Sequence, residues 1–249
     1  MAEAPNIYET QRLLAEYLLF HYGAPRDTTD WPWIPEEALG FAQRTVTALL
    51  PTSPATFQRA LDLGCAVGRS SFELSGCCAE VLGIDFSRLF VETAQRLHRG
   101  EVISYQRHEE GRMVSNRTAA APPAARRENL RFECGDAMNL REDLGNFDLV
   151  HAANLLCRLP QPQRLLERLP HLVRPGGWLL LATPCTWLAE FTPQENWPAG
   201  STFDWLQQRL VPHFDLEARV DLPFVIREHA RKFQFSVALG TRWRRTADG

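Results

Sequence analysis

Lysine is nearly absent from this chain: Lys232 is the single one, and arginine supplies the other 26 basic residues. A Walker phosphate loop needs Gly-Lys-Ser/Thr, so that class of nucleotide site is excluded. The six cysteines, Cys65, Cys77, Cys78, Cys134, Cys157 and Cys185, include no C-x-x-C pair, and no two histidines stand at zinc spacing. They read as reduced core thiols, and no metal is expected. No apolar run approaches the roughly 20 residues that cross a bilayer. Met1–Pro5 lacks the basic and apolar regions of a secretory signal. No membrane partner is therefore expected, and a cytoplasmic setting is the default. A net charge of −3 gives no pull toward polyanions, so nucleic acid is disfavoured as a partner.

The remainder is ordinary for a soluble enzyme, with 45% hydrophobic and 23% charged residues over 249 positions. The informative stretch is Arg59–Ser70, an apolar strand that enters a glycine turn and a helix start. The next apolar run, Val81–Asp85, ends on a carboxylate. Gly64 lets the backbone approach a ligand, and Gly68 lets the following helix pack closely. A carboxylate at a strand tip suits a ribose with two free hydroxyls. A dinucleotide site asks for G-x-G-x-x-G, whereas Ala66 stands between Gly64 and Gly68 here, a poor pyrophosphate cradle.

Asp62-Leu63-Gly64-Cys65-Ala66-Val67-Gly68-Arg69 resembles the first motif of class I S-adenosylmethionine-dependent methyltransferases. Asp85-Phe86-Ser87, Gly135-Asp136-Ala137, Phe147–Val150 and Leu172–Gly177, with the apolar run Trp178–Ala182, match the later motifs in order. The resemblance implies a Rossmann-like α/β fold, a mostly parallel seven-stranded sheet with an antiparallel edge hairpin. It also implies S-adenosylmethionine as cofactor and S-adenosylhomocysteine as product. The residues it implies for the cofactor are Asp62, Gly64, Cys65, Ala66, Gly68, Asp85, Phe86, Ser87, Gly135, Asp136, Ala137 and Asn154.

Periodicity predicts a helix over 8–22 ended by Gly23, then an irregular, aromatic-anchored connection over 24–35. A second helix is predicted from Pro35 to about Leu50. This N-terminal extension, residues 1–50, should lie over the cofactor end of a core spanning 51–249, the whole forming one domain. In the core, strands over 59–63, 80–85, 130–134, 147–153 and 177–183 alternate with helices over 68–76, 87–99 and 162–172. A short strand near 102–105 leads into residues 107–127, which read as an irregular, mobile surface insertion. A helix over 202–210 precedes an antiparallel pair, 214–221 and 232–239. Arg242, Arg244 and Arg245 read as a solvated tail.

Methyl transfer needs its acceptor where strand four ends, at Ala152–Pro160. An amide at a strand's carboxyl end points into the ligand crevice, which singles out Asn154. Similar small-molecule methyltransferases often carry a His-His pair where this chain has Cys157-Arg158; a guanidinium there suits a carboxylate on the acceptor, or else caps a helix. The phrases Glu16–Gly23, Asp62–Leu74, Ala153–Pro160, Thr186–Pro193 and Pro223–Gln234 together resemble the thiohistidine N-methyltransferases of ovothiol biosynthesis, nearly along the whole chain. The resemblance implies methylation of a ring nitrogen of 5-thiohistidine to ovothiol A, with a sulfoxide synthase as functional partner. For that acceptor, Arg158, Arg227 and Arg231 are candidate cations, Trp187 and Phe191 an apolar wall, and Tyr17, His21 and Tyr22 a lid. Asn154 or His229 would hold the ring N–H and select its tautomer as the catalytic groups. Two other readings stay open: another amino acid, amine or phenolic acceptor, and a non-catalytic cofactor-binding partner of the synthase.

Overall fold

The computed structural model describes residues 7–52 and 57–247, so Met1–Pro5 lies outside it. In chain order the elements are α1 (Gln11–Tyr22), α2 (Pro25–Thr28), α3 (Phe41–Thr47), β1 (Phe57–Leu63), α4 (Arg69–Leu74), β2 (Cys78–Asp85), α5 (Arg88–His98), β3 (Ile103–Glu110), β4 (Met113–Ala119), β5 (Leu130–Cys134), β6 (Phe147–Ala153), α6 (Pro162–Leu172), β7 (Val173–Thr183), α7 (Thr202–Leu210), β8 (Phe214–His229) and β9 (Lys232–Arg245). Seven strands form one sheet in the order β5-β2-β1-β6-β7-β9-β8. The first five are parallel, and β9 runs antiparallel between β7 and β8. This is the Rossmann-like arrangement expected.

Alternation along the strands sorts the core onto two faces. Ala60 and Leu149 face a cluster with α1, α3, α4 and α5, where Leu18, Val46, Phe72 and Phe90 are buried. Leu61, Leu63, Val150 and Ala152 face the other, against Leu165, Leu169, Leu206 and Leu210 of α6 and α7. Thr10 starts α1 by accepting the Leu13 N–H at 3.3 Å, and the Gly23 N–H closes it on the Leu19 carbonyl at 2.8 Å.

Three expectations need correction. Residues 107–127 are not an irregular insertion. Most of the segment belongs to the antiparallel β3–β4 pair, a second sheet turned at Gly111 with φ +57°. Ile103, Tyr105 and Arg107 are the buried row of β3, and the arginine in that row disguises it as solvent-exposed chain. The helix expected from Pro35 is broken by Gly40, whose φ of +62° separates a 3-10 turn at Glu36–Ala38 from α3. Finally, Arg242, Arg244 and Arg245 are no tail, because β9 continues through Arg245 inside the sheet. Trp243 is fully buried there, while Arg242 pairs with Glu217 at 3.1 Å and donates to the Leu50 carbonyl at 3.0 Å.

Candidate cofactor and acceptor site

From β1 the chain moves outward to β2 and β5, then returns to β6 and β7 on the opposite side. The reversal opens a crevice at the carboxyl ends of β1 and β6, where open α/β sheets take ligands. The loop leaving β1 passes Gly64 at φ +69°, Ala66 at +48° and Gly68 at +88°. A Cβ on Gly68 would lie 2.7 Å from the Phe132 ring, so this glycine answers both a left-handed backbone and close packing. The Ala66 N–H donates to Asp85 Oδ2 and the Ser87 N–H to Asp85 Oδ1, both at 2.8 Å. Burial pushes the Asp85 carboxyl up to about 6, against these two backbone donors. Each oxygen keeps a further lone pair for a ligand hydroxyl. Beside it, the Gly135 N–H donates to the Asp85 carbonyl at 2.9 Å, and the Met138 N–H to Asp136 Oδ1 at 2.8 Å. Ala137 is buried under this turn, Cys65 under the first, and Phe86 stands exposed at the rim.

Asp62 is not at the ligand surface. It is buried, and its Oδ2 accepts the hydroxyls of Ser70 and Ser71 at 2.7 and 2.6 Å. Its Oδ1 lies 2.7 Å from His151 Nδ1, on the residue directly opposite in β6, and His151 Nε2 lies 3.1 Å from Thr45 Oγ1. Burial raises the Asp62 carboxyl, but His151 and the two hydroxyls outweigh it, and the net is below the ordinary value. Asp62 thus braces the glycine loop from behind. A histidine amid the apolar end of the strand, Leu149–Ala153, was the signal for this network, which the sequence reading misses.

Two further residues escape that reading: the helix expected over 8–22 takes in Tyr8 and Glu9, whereas the structure holds them in a 3-10 turn ahead of α1. The Glu9 carboxylate accepts the Arg88 and Leu89 N–H groups at 2.8 and 3.3 Å, at the start of α5. The Ser87 hydroxyl donates to the Tyr8 carbonyl at 3.0 Å. Negative charge is favoured at a helix N-terminus, so Glu9 straps the N-terminal segment onto the element that carries Asp85. The strap sets the Tyr8 ring among Tyr17, Phe90 and Phe191, with centroids 6.2, 5.9 and 6.4 Å away.

Arg158 closes this aromatic group, its guanidinium 4.3 Å from the Phe191 centroid. Arg158 Nη1 is shut off from solvent with no partner among the described residues, and so is Asn154 Oδ1. Asn154 sits at the end of β6 in left-handed backbone, φ +53°, held by its N–H on the Ala182 carbonyl at 2.8 Å. Tyr17 and His21 lie one helical turn apart with rings 5.7 Å apart. Burial holds the His21 imidazole down at about 4, with Asp62 raising and Arg69 lowering it, so the ring is neutral; its Nδ1 also lacks a partner. Arg158, Phe191, Tyr17 and His21 thus gather with Tyr8, while Asn154 stands at the tip of β6.

The other expected acceptor residues do not join them. Tyr22 donates its hydroxyl to the Val67 carbonyl at 2.7 Å and so braces the cofactor loop. Trp187 faces away from Phe191: its Nε1 donates to Thr202 at 2.9 Å and its ring meets Trp205 edge-on. It lines a separate cavity of about 560 Å³ with Arg219 and Asp221. Arg227 is paired with Glu109 of β3, His229 accepts the Arg231 N–H at 3.2 Å beside His108, and Arg231 lies over Trp31. Their shared side, read from alternation, faces the β3–β4 hairpin and the α2 region instead of Asn154. β8 stays paired with β9 as far as His229, beyond the end of β7 and farther than sequence alone shows.

A family profile described as "Methyltransferase domain" matches residues 35–222. The chain belongs to this methyltransferase domain family. Among curated relatives, the ubiquinone biosynthesis O-methyltransferase of Coxiella burnetii is 28% identical over 49% of this chain and 42% of its own length. The trans-aconitate 2-methyltransferase of Deinococcus radiodurans is 30% identical over 60% of this chain and 46% of its own. The chain therefore spans less than half the length of these two relatives. Among solved structures, the N-methyltransferase NodS of Bradyrhizobium japonicum WM9 with S-adenosyl-L-homocysteine superposes with a TM-score of 0.54. It is 17% identical and covers 93% of this chain and 98% of NodS. A SAM-dependent methyltransferase of Methanosarcina mazei gives 0.52 at 16% identity, covering 80% and 95%. These likenesses are of fold. The chain's own residues suit an adenosyl sulfonium: a two-oxygen carboxylate stands at the tip of β2, and the unpaired Asn154 amide oxygen at the tip of β6.

Proposed function

We propose that this methyltransferase-family chain transfers a methyl group from S-adenosylmethionine to a small molecule, and that the acceptor is 5-thiohistidine, giving ovothiol A. The observation that carries the acceptor class is a pair of unpartnered polar atoms past the end of β6: Arg158 Nη1, whose guanidinium lies on the Phe191 ring that adjoins Tyr8, and Asn154 Oδ1. A half-buried cation with a shielded, unpaired N–H favours an anionic ligand group, and an amide oxygen without a donor favours a ligand N–H. A zwitterionic amino acid with an imidazole ring supplies both. The specific choice of thiohistidine rests on the sequence phrases that resemble that enzyme family.

Bound at the strand tips, the cofactor supplies an electrophilic methyl on sulfur and leaves as S-adenosylhomocysteine. The protein's task is placement and dryness. Arg158 holds the carboxylate, the aromatic rings flank the imidazole, and Asn154 or the neutral His21 fixes which ring nitrogen keeps its proton. His229 and Arg227 leave this role, since their partners lie on the hairpin side. A cytoplasmic setting and a sulfoxide synthase that supplies the thiolated histidine belong to the same proposal.

The deciding assay sets thiohistidine, histidine and trans-aconitate side by side as acceptors, with S-adenosylhomocysteine formation as readout. Thiohistidine should be turned over at least tenfold more efficiently. Asn154→Ala should lower kcat at saturating acceptor, whereas a change in KM alone would refute tautomer control. Equal turnover of all three acceptors would refute the substrate.

A further inference from the structure

A cavity of about 650 Å³ lies between α1 and the β3–β4 hairpin, with Arg227 and Glu228 of β8 at one side. It is separate from the strand-tip site: Leu14, Ala15, Leu18 and Leu19 line it, while Tyr17 and His21 leave α1 from another face. Its apolar lining is completed by Ile103 and Val114.

The charge behind this lining is unbalanced. Arg107 and Arg227 are 7% and 4% exposed, and both pair with one carboxylate, Glu109. Arg107 Nη1 also donates to the Asp27 carbonyl at 2.6 Å, and Arg227 Nη1 to the Thr28 carbonyl at 3.4 Å. The Ser115 hydroxyl donates to the same Glu109, adding no charge. Nearby carboxylates are engaged elsewhere: Asp27 pairs with Arg117 at 3.0 Å and Glu228 with Lys232 at 2.6 Å. Asp30 acts on Arg227 only from an exposed position. At the cavity rim Arg12 pairs with Glu16 and Arg96 with Glu101. The two buried guanidiniums thus share a single carboxylate and keep a net positive charge, and a buried cation of that kind is costly unless a further anion meets it. Two polar atoms in the lining residues are unpartnered among the described residues, Arg227 Nε and the hydroxyl of Tyr105, itself 7% exposed.

We propose that this cavity is a second binding site, for a small monocarboxylate with an apolar body. The carboxylate meets Arg227 and Tyr105, and the body lies on Leu14, Leu18, Leu19 and Ile103. One uncompensated charge selects a monoanion over phosphate, and the volume lies in the range of small-ligand pockets. The site is independent of the methyl-acceptor reading, although α1 walls both.

The test is calorimetric titration of the full chain with hexanoate, hexanamide and inorganic phosphate, each with and without saturating S-adenosylhomocysteine. Hexanoate should bind saturably, at least tenfold tighter than its neutral amide and tighter than phosphate, with an affinity unchanged within twofold by S-adenosylhomocysteine. Tyr105→Phe removes only a hydroxyl and should weaken hexanoate three- to tenfold. Ala15→Phe fills the cavity and should weaken it at least tenfold, its folding checked by an unchanged circular dichroism spectrum. Equal binding of acid and amide, tighter phosphate, or unaltered hexanoate binding in both variants would overturn the proposal. Competition with S-adenosylhomocysteine would overturn it too, by moving hexanoate to the strand tips. Hexanoate binding in a protein that ignores S-adenosylhomocysteine would refute the methyltransferase reading and leave this site standing.

Discussion

Asp85 makes binding of the cofactor product dependent on pH in a calculable way. In the free chain its carboxyl is raised from 3.8 to about 6, chiefly by burial. Ribose hydroxyls donate to the carboxylate form, so the ligand requires Asp85 ionised. The penalty on affinity is then a factor of one plus ten to the power of pKa minus pH. That is about twofold at pH 6 and roughly 11-fold at pH 5, or about 1.4 kcal/mol, with nothing lost at pH 8. The other ionisable groups acting on this carboxyl are Glu9, Asp62, Tyr8, Tyr17 and Cys65. Asp62 is held below its ordinary value and the phenols and thiol above theirs, so none of those four changes charge in this window. Glu9→Gln removes the fifth and should leave the pH slope in place. Titration calorimetry with S-adenosylhomocysteine from pH 5 to 8 reads the curve. Asp85→Asn should flatten it and weaken binding at pH 8 by at least tenfold, because the amide must set an N–H against a backbone donor. An affinity in the wild type that is constant from pH 8 to pH 5 would refute the reasoning. The same shift works oppositely on the ligand-free chain. Asp85 favours folding fully below about 3.8, and that contribution is lost as pH rises through about 6.

Gly68→Ala should cost about 3 kcal/mol, from a left-handed backbone and the displaced Phe132 ring, and lower Tm by roughly 6–12 °C. A Tm within 2 °C of wild type would show that the loop adapts. Glu9→Gln weakens the clasp on α5 and should speed release of S-adenosylhomocysteine about three- to tenfold in stopped-flow measurements. An unchanged off-rate would mean that the strap does not gate the site.

The parallel core was readable because its strands are apolar runs closed by glycine or aspartate, and its helices carry a single apolar stripe. Asp85, Gly68 and Asn154 stood where those runs end, and the structure places them at one crevice. The hairpin was hidden because its buried row includes Arg107, a charged side chain satisfied by Glu109 two residues on and by the Asp27 carbonyl 80 residues away. The same reason hid the last six residues of β9, beyond the strand expected over 232–239: Arg242 looks solvated until Glu217 and the Leu50 carbonyl meet it. On the acceptor side, the strand expected over 214–221 stops short of Arg227 and His229. Nothing local shows that β8 continues to His229, beyond the end of β7, and carries Arg227 onto Glu109 of β3. Periodicity drew Tyr8 and Glu9 into the first helix, because the partners that hold them ahead of it lie 79 residues away.

Ala66, Asn154 and Cys185 are the non-glycine residues described with positive φ, at +48°, +53° and +55°, each just past the tip of β1, β6 or β7. A glycine at any of them would relieve about 1 kcal/mol of conformational strain, yet would return a similar amount through the freedom of the unfolded chain. Thermal robustness therefore exerts little pull on what occupies these three places. Each of the three could carry glycine instead at little net cost in stability.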